Sequence, residues 1–385
     1  AFDPTGKRKT AIRGGYGINY TRPLIGTFIN NAFDNPPFSR SVTILLPSFD
    51  DPGGGAEAAP SVVNLTALGT PMKAPSMQQW GFGVQHEVAR RALLSVSYVG
   101  SRGTHFFRPL NINSPRGGEA VARGVQVNAA RPFQGFGNIT QRQSTATSSY
   151  HSLQVSFNRR VSGALSINGS YTFSKSIDNA SSDRGGSDTP PDSYNAARER
   201  GLSDYHRPHI FSANYVWYLL RFARGQRLRW LANGWEISGI SRFWSGRPFD
   251  VVMSQDVAGV GGTQNQRPNI IADTRGPRTV EEWFNRNAFA RPATGTFGDM
   301  GRNSLLGPGV NKWDLSLMKN FPLGERKRAQ FRAEFFNAFN HPSFTTVGAS
   351  LSTTTAGVNP NTNNFAVVTG TRDARVLQFG VRITY

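Results

Sequence analysis

The sequence predicts an all-β fold: an antiparallel up-and-down transmembrane β-barrel, present as about ten strands of a wider one. Three observations predict it. Apolar and polar residues alternate with a period of two in about ten segments, the mark of a strand with one apolar face. The connections between these segments are alternately long and short without a break. Across each short connection the apolar parities of the flanking segments agree, as opposite residues of an antiparallel hairpin must.

The segments follow in order. Ile12, Gly14, Tyr16, Ile18 and Tyr20 alternate with Arg13, Gly15, Gly17 and Asn19. Trp80, Phe82, Val84, His86 and Val88 alternate with Gln79, Gly81, Gly83, Gln85 and Glu87, and Leu94, Val96 and Tyr98 continue the pattern. Leu153, Val155 and Phe157 lie opposite Ser152, Gln154 and Ser156. Leu165, Ile167, Tyr171 and Phe173 lie opposite Ser166, Asn168, Ser170 and Thr172. Further apolar faces are Phe211 to Leu219, Trp235 to Phe243, Trp313 to Phe321 and Phe331 to Phe339. The last is Leu377, Phe379, Val381, Ile383 and Tyr385. Helical spacing is confined to "TVEEWFNRNAF" (279–289), expected as a short helix within a loop. With the last strand drawn downward, 21–78, 102–150, 176–206, 246–310 and 340–372 are long upper loops. Residues 89–91, 161–163, 220–232 and 322–327 are then lower turns. Matching parity places Phe82 opposite Tyr98, Phe157 opposite Ile167, Leu317 opposite Ala333 and Leu315 opposite Phe335.

Two architectures suit such a meander. In a soluble sandwich the apolar parity packs inward; in an outer-membrane barrel it faces lipid and the polar parity lines a wet lumen. The polar parity here is Gln, Ser, Asn, Gly, Arg and Glu, which suits water. Short turns on one side with long loops on the other, and aromatic residues at strand ends (Trp217, Tyr218, Trp244, Trp313, Tyr385), also favour the barrel.

Composition removes several function classes. The chain has no cysteine, which excludes disulfides and thiolate metal sites. No run of about 18 apolar residues exists for a transmembrane helix, and "AFDPTGKRKT" lacks the apolar region of a signal peptide. The net charge of +19 raises nucleic acid as a partner, but the arginines are scattered and no nucleic-acid-binding motif occurs, so none is expected. No Ser-elbow, zincin or dinucleotide motif is present. His206 and His209 in "DYHRPHIF", near Asp204, lack a third ligand at zinc spacing. "DRGGSD" (183–188) reads as a solvated loop rather than a calcium site. The chain is expected not to be an enzyme and to need no cofactor.

The final octet, Gln378 to Tyr385, resembles the C-terminal β-signal of outer-membrane proteins: Gln378, Gly380, Ile383 and Tyr385 occupy its polar, glycine and apolar or aromatic positions. By that resemblance the barrel-assembly machinery reads this strand. "AIRGGYGINYTRP", "QQWGFGVQHEV", "SVSYVGSRGTHF", "YHSLQVSFNRR", "SINGSYTFSKSID", "NGWEISGISRFWSGRPF" and "FRAEFFNAFNHPSF" together resemble the barrel of TonB-dependent receptors, in particular the Oar-like branch. The resemblance implies a barrel of about 22 strands with an N-terminal plug, a regulatory-like domain and a TonB box. It also implies residence in the bacterial outer membrane among its lipids. This chain carries about ten strands, and "DPTGKRKT" reads as a lower turn that follows a strand. Residues 1–385 are therefore expected to be the C-terminal portion of such a barrel, without the plug or regulatory domain.

The implied function is energised uptake of a substrate that the sequence does not name. The alternative is a non-transporting adhesin or structural barrel that works through its loops. Lumen-parity charges, Arg13, Glu87, Arg332, Glu334 and Arg382, are the candidate substrate contacts, with mutual ion pairs as the plainer role. Specificity is expected in the upper loops, where a rigid scaffold presents recognition residues.

Overall fold

Strands with one apolar and one polar face satisfy their backbones only by pairing edge to edge, and in the computed structural model the ten segments do so in chain order. They are β1 Thr10–Tyr20, β2 Ser76–Ala89, β3 Ala92–Asn111, β4 Phe136–Arg160 and β5 Leu165–Asp178, followed by β6 His209–Tyr218, β7 Trp235–Trp244, β8 Val310–Pro322, β9 Arg328–Phe336 and β10 Val376–Thr384. Each pairs antiparallel with the next, and β1 and β10 form the two edges. The structure describes all residues except 1, 24, 40–48, 52–61, 161–164, 183–187, 220–231, 263–264, 325–326, 355–356 and 362–363. The expected open edges hold along β10 and most of β1. The exception is Phe2, which bridges Ile12 on the free side of β1 through two backbone hydrogen bonds of 2.8 Å.

Strand length separates the membrane-sized part from the rest. About 9–11 residues cross a bilayer, whereas β3 has 20 residues and β4 has 25. Their upper ends stand above a crossing-length segment and carry short additions: Val63–Leu68 runs parallel to the top of β4, and Gly201–Leu202 pairs with β5. At the lower end, Arg90 and Arg91 turn β2 into β3, with Arg91 at φ 61° and its N–H donated to Glu87 Oε1 at 3.2 Å. The β8–β9 turn is closed by Leu323 N–H on the Lys327 carbonyl at 2.9 Å. The expected turn at 161–163, and 220–231 of the one at 220–232, lie outside the described residues.

The register confirms Phe82 opposite Tyr98, Leu317 opposite Ala333 and Leu315 opposite Phe335. It corrects Phe157, which faces Gly169, while Ile167 faces Arg159. The slide is two residues, one full period, so every side chain keeps its face. That is why parity alone did not detect it.

The apolar parity is exposed: Tyr16, Phe82, Leu153, Phe173, Phe379 and Val381 all belong to it, with Phe379 63% and Val381 70% exposed. The polar parity carries the concavities; one of about 340 Å³ is lined by Asn168, Asn214, Ser238, Asp314, Ser316 and Glu334. Lys319 breaks the pattern, since it shares a face with Leu317 and Phe321. It is nonetheless buried: its ammonium donates to the Asn233 carbonyl and lies 5.3 Å and 5.1 Å from the Trp235 and Phe321 ring centroids. Both contacts compensate an ammonium removed from water. Trp244 departs from the expected aromatic girdle, because it shares the polar parity with Arg242 and its ring meets Arg207 at 5.6 Å.

The one apolar core cluster among the described residues sits in the upper loops. Val251, Phe284, Phe289, Met300, Leu305, Leu351 and Phe365 pack together from two loops. Phe284 and Phe365 meet edge to face at 5.1 Å. Residues 279–289 are not the expected helix; only Arg286–Ala288 form a 3-10 turn, capped by Asn285 Oδ1 accepting from Asn287 N–H. Phe284 and Phe289 are both buried in the loop core, and that burial overrides the local helical spacing. The longest helix among the described residues, α1 (Ile25–Phe33), lies in the first upper loop.

The native chain has no cysteine, so single cysteines report facing cleanly. Cysteine at Leu153 or Phe379 is expected to react with a membrane-partitioning maleimide and to resist a sulfonated, water-borne one. Cysteine at Gln154 or Glu334 should show the reverse. The opposite pattern in outer-membrane vesicles would reject the facing of the sheet.

Candidate functional site

The polar face of the sheet and the loop body above it form one continuous candidate site. On the face, Asp314 is shared by Arg242 (3.7 Å) and Lys312 (3.5 Å), and its Oδ1 also accepts the Asn337 N–H at 3.0 Å. Lower down, Arg332 Nε donates to Gln330 Oε1 at 2.6 Å, and Gln330 Nε2 donates to Asn320 Oδ1 at 3.0 Å. Glu334 stands between Ser316 and Gln378 and borders the cavity.

Above the rim, the loops 176–206 and 246–310 close on a network of buried ions. Arg302 donates to Asp178 Oδ1 at 2.5 Å, and to Asp188 and Asp204, each at 3.2 Å. Its side chain is 4% exposed, and those of Asp178 and Asp188 are 6% and 1%. Arg267 grips Glu199 with both guanidinium arms, at 2.9 Å and 2.6 Å, and donates Nε to the Met300 carbonyl at 3.0 Å. Asp250 lies 3.7 Å from Arg267 and accepts the Asn303 N–H. Asn303 in turn donates to Asp204 Oδ1 at 2.6 Å and to the Leu202 carbonyl at 2.7 Å. Arg108 is buried beside this cluster; it donates to the Ala196 carbonyl at 3.4 Å, while Nε and Nη2 have no partner among the described residues.

Burial holds the Asp250 carboxyl up at about 6, against the opposing pull of Arg267. Asp188 is also pushed up by burial. Burial pushes His206 down, and its Nδ1 lies 3.2 Å from the Ser176 N–H.

The sequence matches the profile of the outer membrane beta barrel domain over residues 1–378. The chain belongs to the outer membrane beta barrel domain family. Among solved structures, the Escherichia coli outer membrane transporter YddB superposes with a TM-score of 0.52 at 12% identity, over 100% of this chain and 39% of that one. The siderophore receptor PiuA of Acinetobacter baumannii gives 0.45 at 8% identity, over 100% and 34%. The chain thus spans well under half the length of these proteins. Comparison with curated proteins finds no match.

As an outer-membrane barrel chain, this protein resides in the bacterial outer membrane, with its apolar parity to lipid and its polar parity to the lumen. The structure divides the sequence-derived lumen charges into two groups. Arg332, Glu334 and Arg382 lie on neighbouring strands β9 and β10. Arg13 and Glu87 lie at the other edge: Arg13 borders a small cavity with Gln85, Ser95 and Ser97, while Glu87 holds the β2–β3 turn. His206, His209 and Asp204 do not converge: His209 pairs with Tyr171 at 2.8 Å, and Asp204 holds Arg302 and Asn303. Among the described residues no group of three or more acidic or histidine side chains suits a metal. Sequence reasoning missed Arg242, Lys312 and Asp314, which strand parity contained. It also missed Arg302, Arg267, Glu199 and Asp250, which no local signal marks. Asp188, read as solvated, is buried.

Two outcomes test the ionic clasp in this outer-membrane barrel. Arg302→Met leaves Asp178 and Asp188 buried without their cation. It is expected to weaken loop closure by about 3–5 kcal/mol, seen as rapid proteolysis of the upper loops with the barrel intact. Asp250 binds a proton more tightly in the closed loops than in open chain. Its contribution to closure is therefore complete below about pH 4 and is lost as pH rises through about 6. Asp250→Asn is expected to remove that loss and to stabilise closure at neutral pH by on the order of 2 kcal/mol, measured as the variant-minus-parent difference in proteolysis or hydrogen exchange between pH 4 and 7.

Proposed function

We propose that the chain is the C-terminal portion of the barrel of a TonB-dependent receptor and forms part of the wall and outer cap of an energised uptake path. The observation that carries this reading is the polar, cavity-bearing strand face beneath a loop body clasped by buried ions. Such a body closes over a lumen without contributing to the wall itself. The likeness in fold to a protein described as an outer membrane transporter supports it. In this reading the free sides of β1 and β10 pair with other strands of the full receptor and complete the barrel, since open backbone edges are not tolerated in hydrocarbon. A plug and a regulatory-like domain precede the segment, and TonB engages the receptor through them. Arg332, Glu334 and Arg382, together with Arg13 and Glu87, face plug or substrate. The work of the chain is binding and passage without covalent chemistry.

The test uses the full-length receptor. Cells lacking TonB are expected to retain surface binding of the substrate and to lose its accumulation. Equal accumulation with and without TonB would overturn the proposal in favour of a non-transporting surface barrel.

Assembly gives an independent expectation. Tyr385 is 94% exposed at the end of β10, with Gln378, Gly380 and Ile383 in register with Glu334, Arg332 and Ala329. Tyr385→Asp should lower the amount of folded receptor in the outer membrane several-fold, read as loss of the heat-modifiable band in membrane fractions. Unchanged levels would remove the assembly-signal role.

A further inference from the structure

At the upper rim, where β6, β7 and β8 meet the loop body, a cavity of about 450 Å³ is bordered by three arginines, Arg207, Arg247 and Arg372. They come from three separate parts of the chain: the approach to β6, the exit from β7 and the approach to β10. Among the described residues no Asp or Glu lines the cavity. Among the described residues none of the three makes an ion pair with a carboxylate, in contrast to Arg267 and Arg302 in the same loop body. Arg247 and Arg372 are exposed. Arg207 is held in place, with its guanidinium 5.6 Å from the Trp244 ring centroid and donating to the Ser245 carbonyl. Burial and the two neighbouring guanidinium groups all disfavour its charge, and an anion placed among the three relieves that repulsion.

The remaining wall is apolar and aromatic, with Trp244, Phe249 and Phe344 on it. Its floor depends on glycine: a Cβ on Gly246 would stand 1.7 Å from the Gly307 carbonyl oxygen, so the two loop strands approach closely only without a side chain there. The volume falls in the range of small-molecule sites, roughly 300–1,000 Å³. Guanidinium groups in a fixed arrangement match carboxylate and phosphate oxygens through paired hydrogen bonds.

We propose that this rim cavity binds an organic anion, a phosphate or carboxylate group attached to an apolar or aromatic body. The three arginines take the acidic oxygens, and Trp244, Phe249 and Phe344 take the body. The site stands on its own geometry and does not depend on TonB-driven uptake. The same chemistry is offered by a soluble aryl or alkyl phosphate and by the phosphate headgroup of an outer-leaflet lipid.

The experiment measures binding to the full-length receptor in neutral detergent at low salt. Phenyl phosphate is one arm, and dihexanoyl phosphatidic acid is the other. Phenol and dihexanoyl phosphatidylcholine are the uncharged and zwitterionic controls. The parent is expected to bind at least one of the two anions and neither control. Arg247→Gln combined with Arg372→Gln should weaken that binding at least about ten-fold, because hydrogen bonds to charged groups are lost. Both side chains are exposed and unpaired, so the barrel should keep its heat-modifiable mobility. Arg372→Lys, which keeps the charge but not the paired hydrogen bonds, should weaken binding less than Arg372→Gln does. Arginine-dependent binding of phenyl phosphate assigns the site to soluble anions, and arginine-dependent binding of phosphatidic acid alone assigns it to lipid headgroups. No binding of either, or binding that the double variant leaves unchanged, would overturn the proposal.

Discussion

A strand in hydrocarbon has no water to satisfy its N–H and C=O groups, so each must bond to a neighbouring strand. The rest of this structure depends on that constraint. It forces β2 to β9 to pair on both sides. Once the ladders are fixed, the pleat sends alternate side chains to opposite faces, so lipid and lumen each receive one parity. Segments such as 246–310 cannot lie in the hydrocarbon as irregular backbone, and they collect at the upper end, where water or their own packing can satisfy them. The apolar cluster therefore forms among loops and not between sheet faces. Lys319 shows how strict the rule is. On the lipid parity of β8 its ammonium has a backbone carbonyl and two aromatic rings around it.

The loop body uses two kinds of interaction for different ends. Phe284, Phe289, Phe365 and Leu351 supply apolar burial, which is strong but indifferent to exact register. The ion pairs supply register. Arg302 reaches Asp178 on the top of β5 from 124 residues away, and Arg267 reaches Glu199 across 68 residues. Buried ion pairs are a weak source of net stability, because desolvation offsets the attraction. Their geometry is nonetheless demanding: Arg267 must meet both oxygens of Glu199 at once. A loop shifted by one residue would leave charges buried and unpaired. The cap is thus locked to the end of a barrel strand in a single arrangement, and the Asp250 carboxyl, pushed up by burial, is the group through which pH is expected to act on that lock.

How much of this was legible in the sequence follows from the range of the forces involved. Strand faces are written locally, because period two can be read within one segment; Phe82, Leu153 and Phe379 fall where parity put them. Hairpin register is written across a few residues, and parity fixes it only modulo two, hence the slide of Phe157 from Ile167 to Gly169. The 279–289 segment has helical spacing but spends its aromatic residues on a core supplied by distant loops. The clasp has no local trace at all. Asp178 reads as part of a long upper loop and Arg302 as one arginine among many, and only the folded loops bring them together. Of the lumen charges, those on β9 and β10 share one region of the face, but Arg13 and Glu87 were grouped with them by parity alone and lie at the opposite edge.

The net charge of +19 gains meaning from where the carboxylates lie. Asp178, Asp188, Asp204, Glu199 and Asp250 are all drawn into the clasp, where they neutralise Arg302 and Arg267. Acidic groups committed to the interior of the loop body are not available at its rim, and among the described residues Arg207, Arg247 and Arg372 have no carboxylate partner there. At physiological ionic strength charge is screened beyond roughly 8 Å. The overall excess of arginine therefore cannot by itself select a ligand. Selection needs several cations within one screening length of a single point, beside a surface that excludes water. The rim cavity brings three arginines to one lining beside Trp244, Phe249 and Phe344, while the carboxylates of the clasp are committed elsewhere.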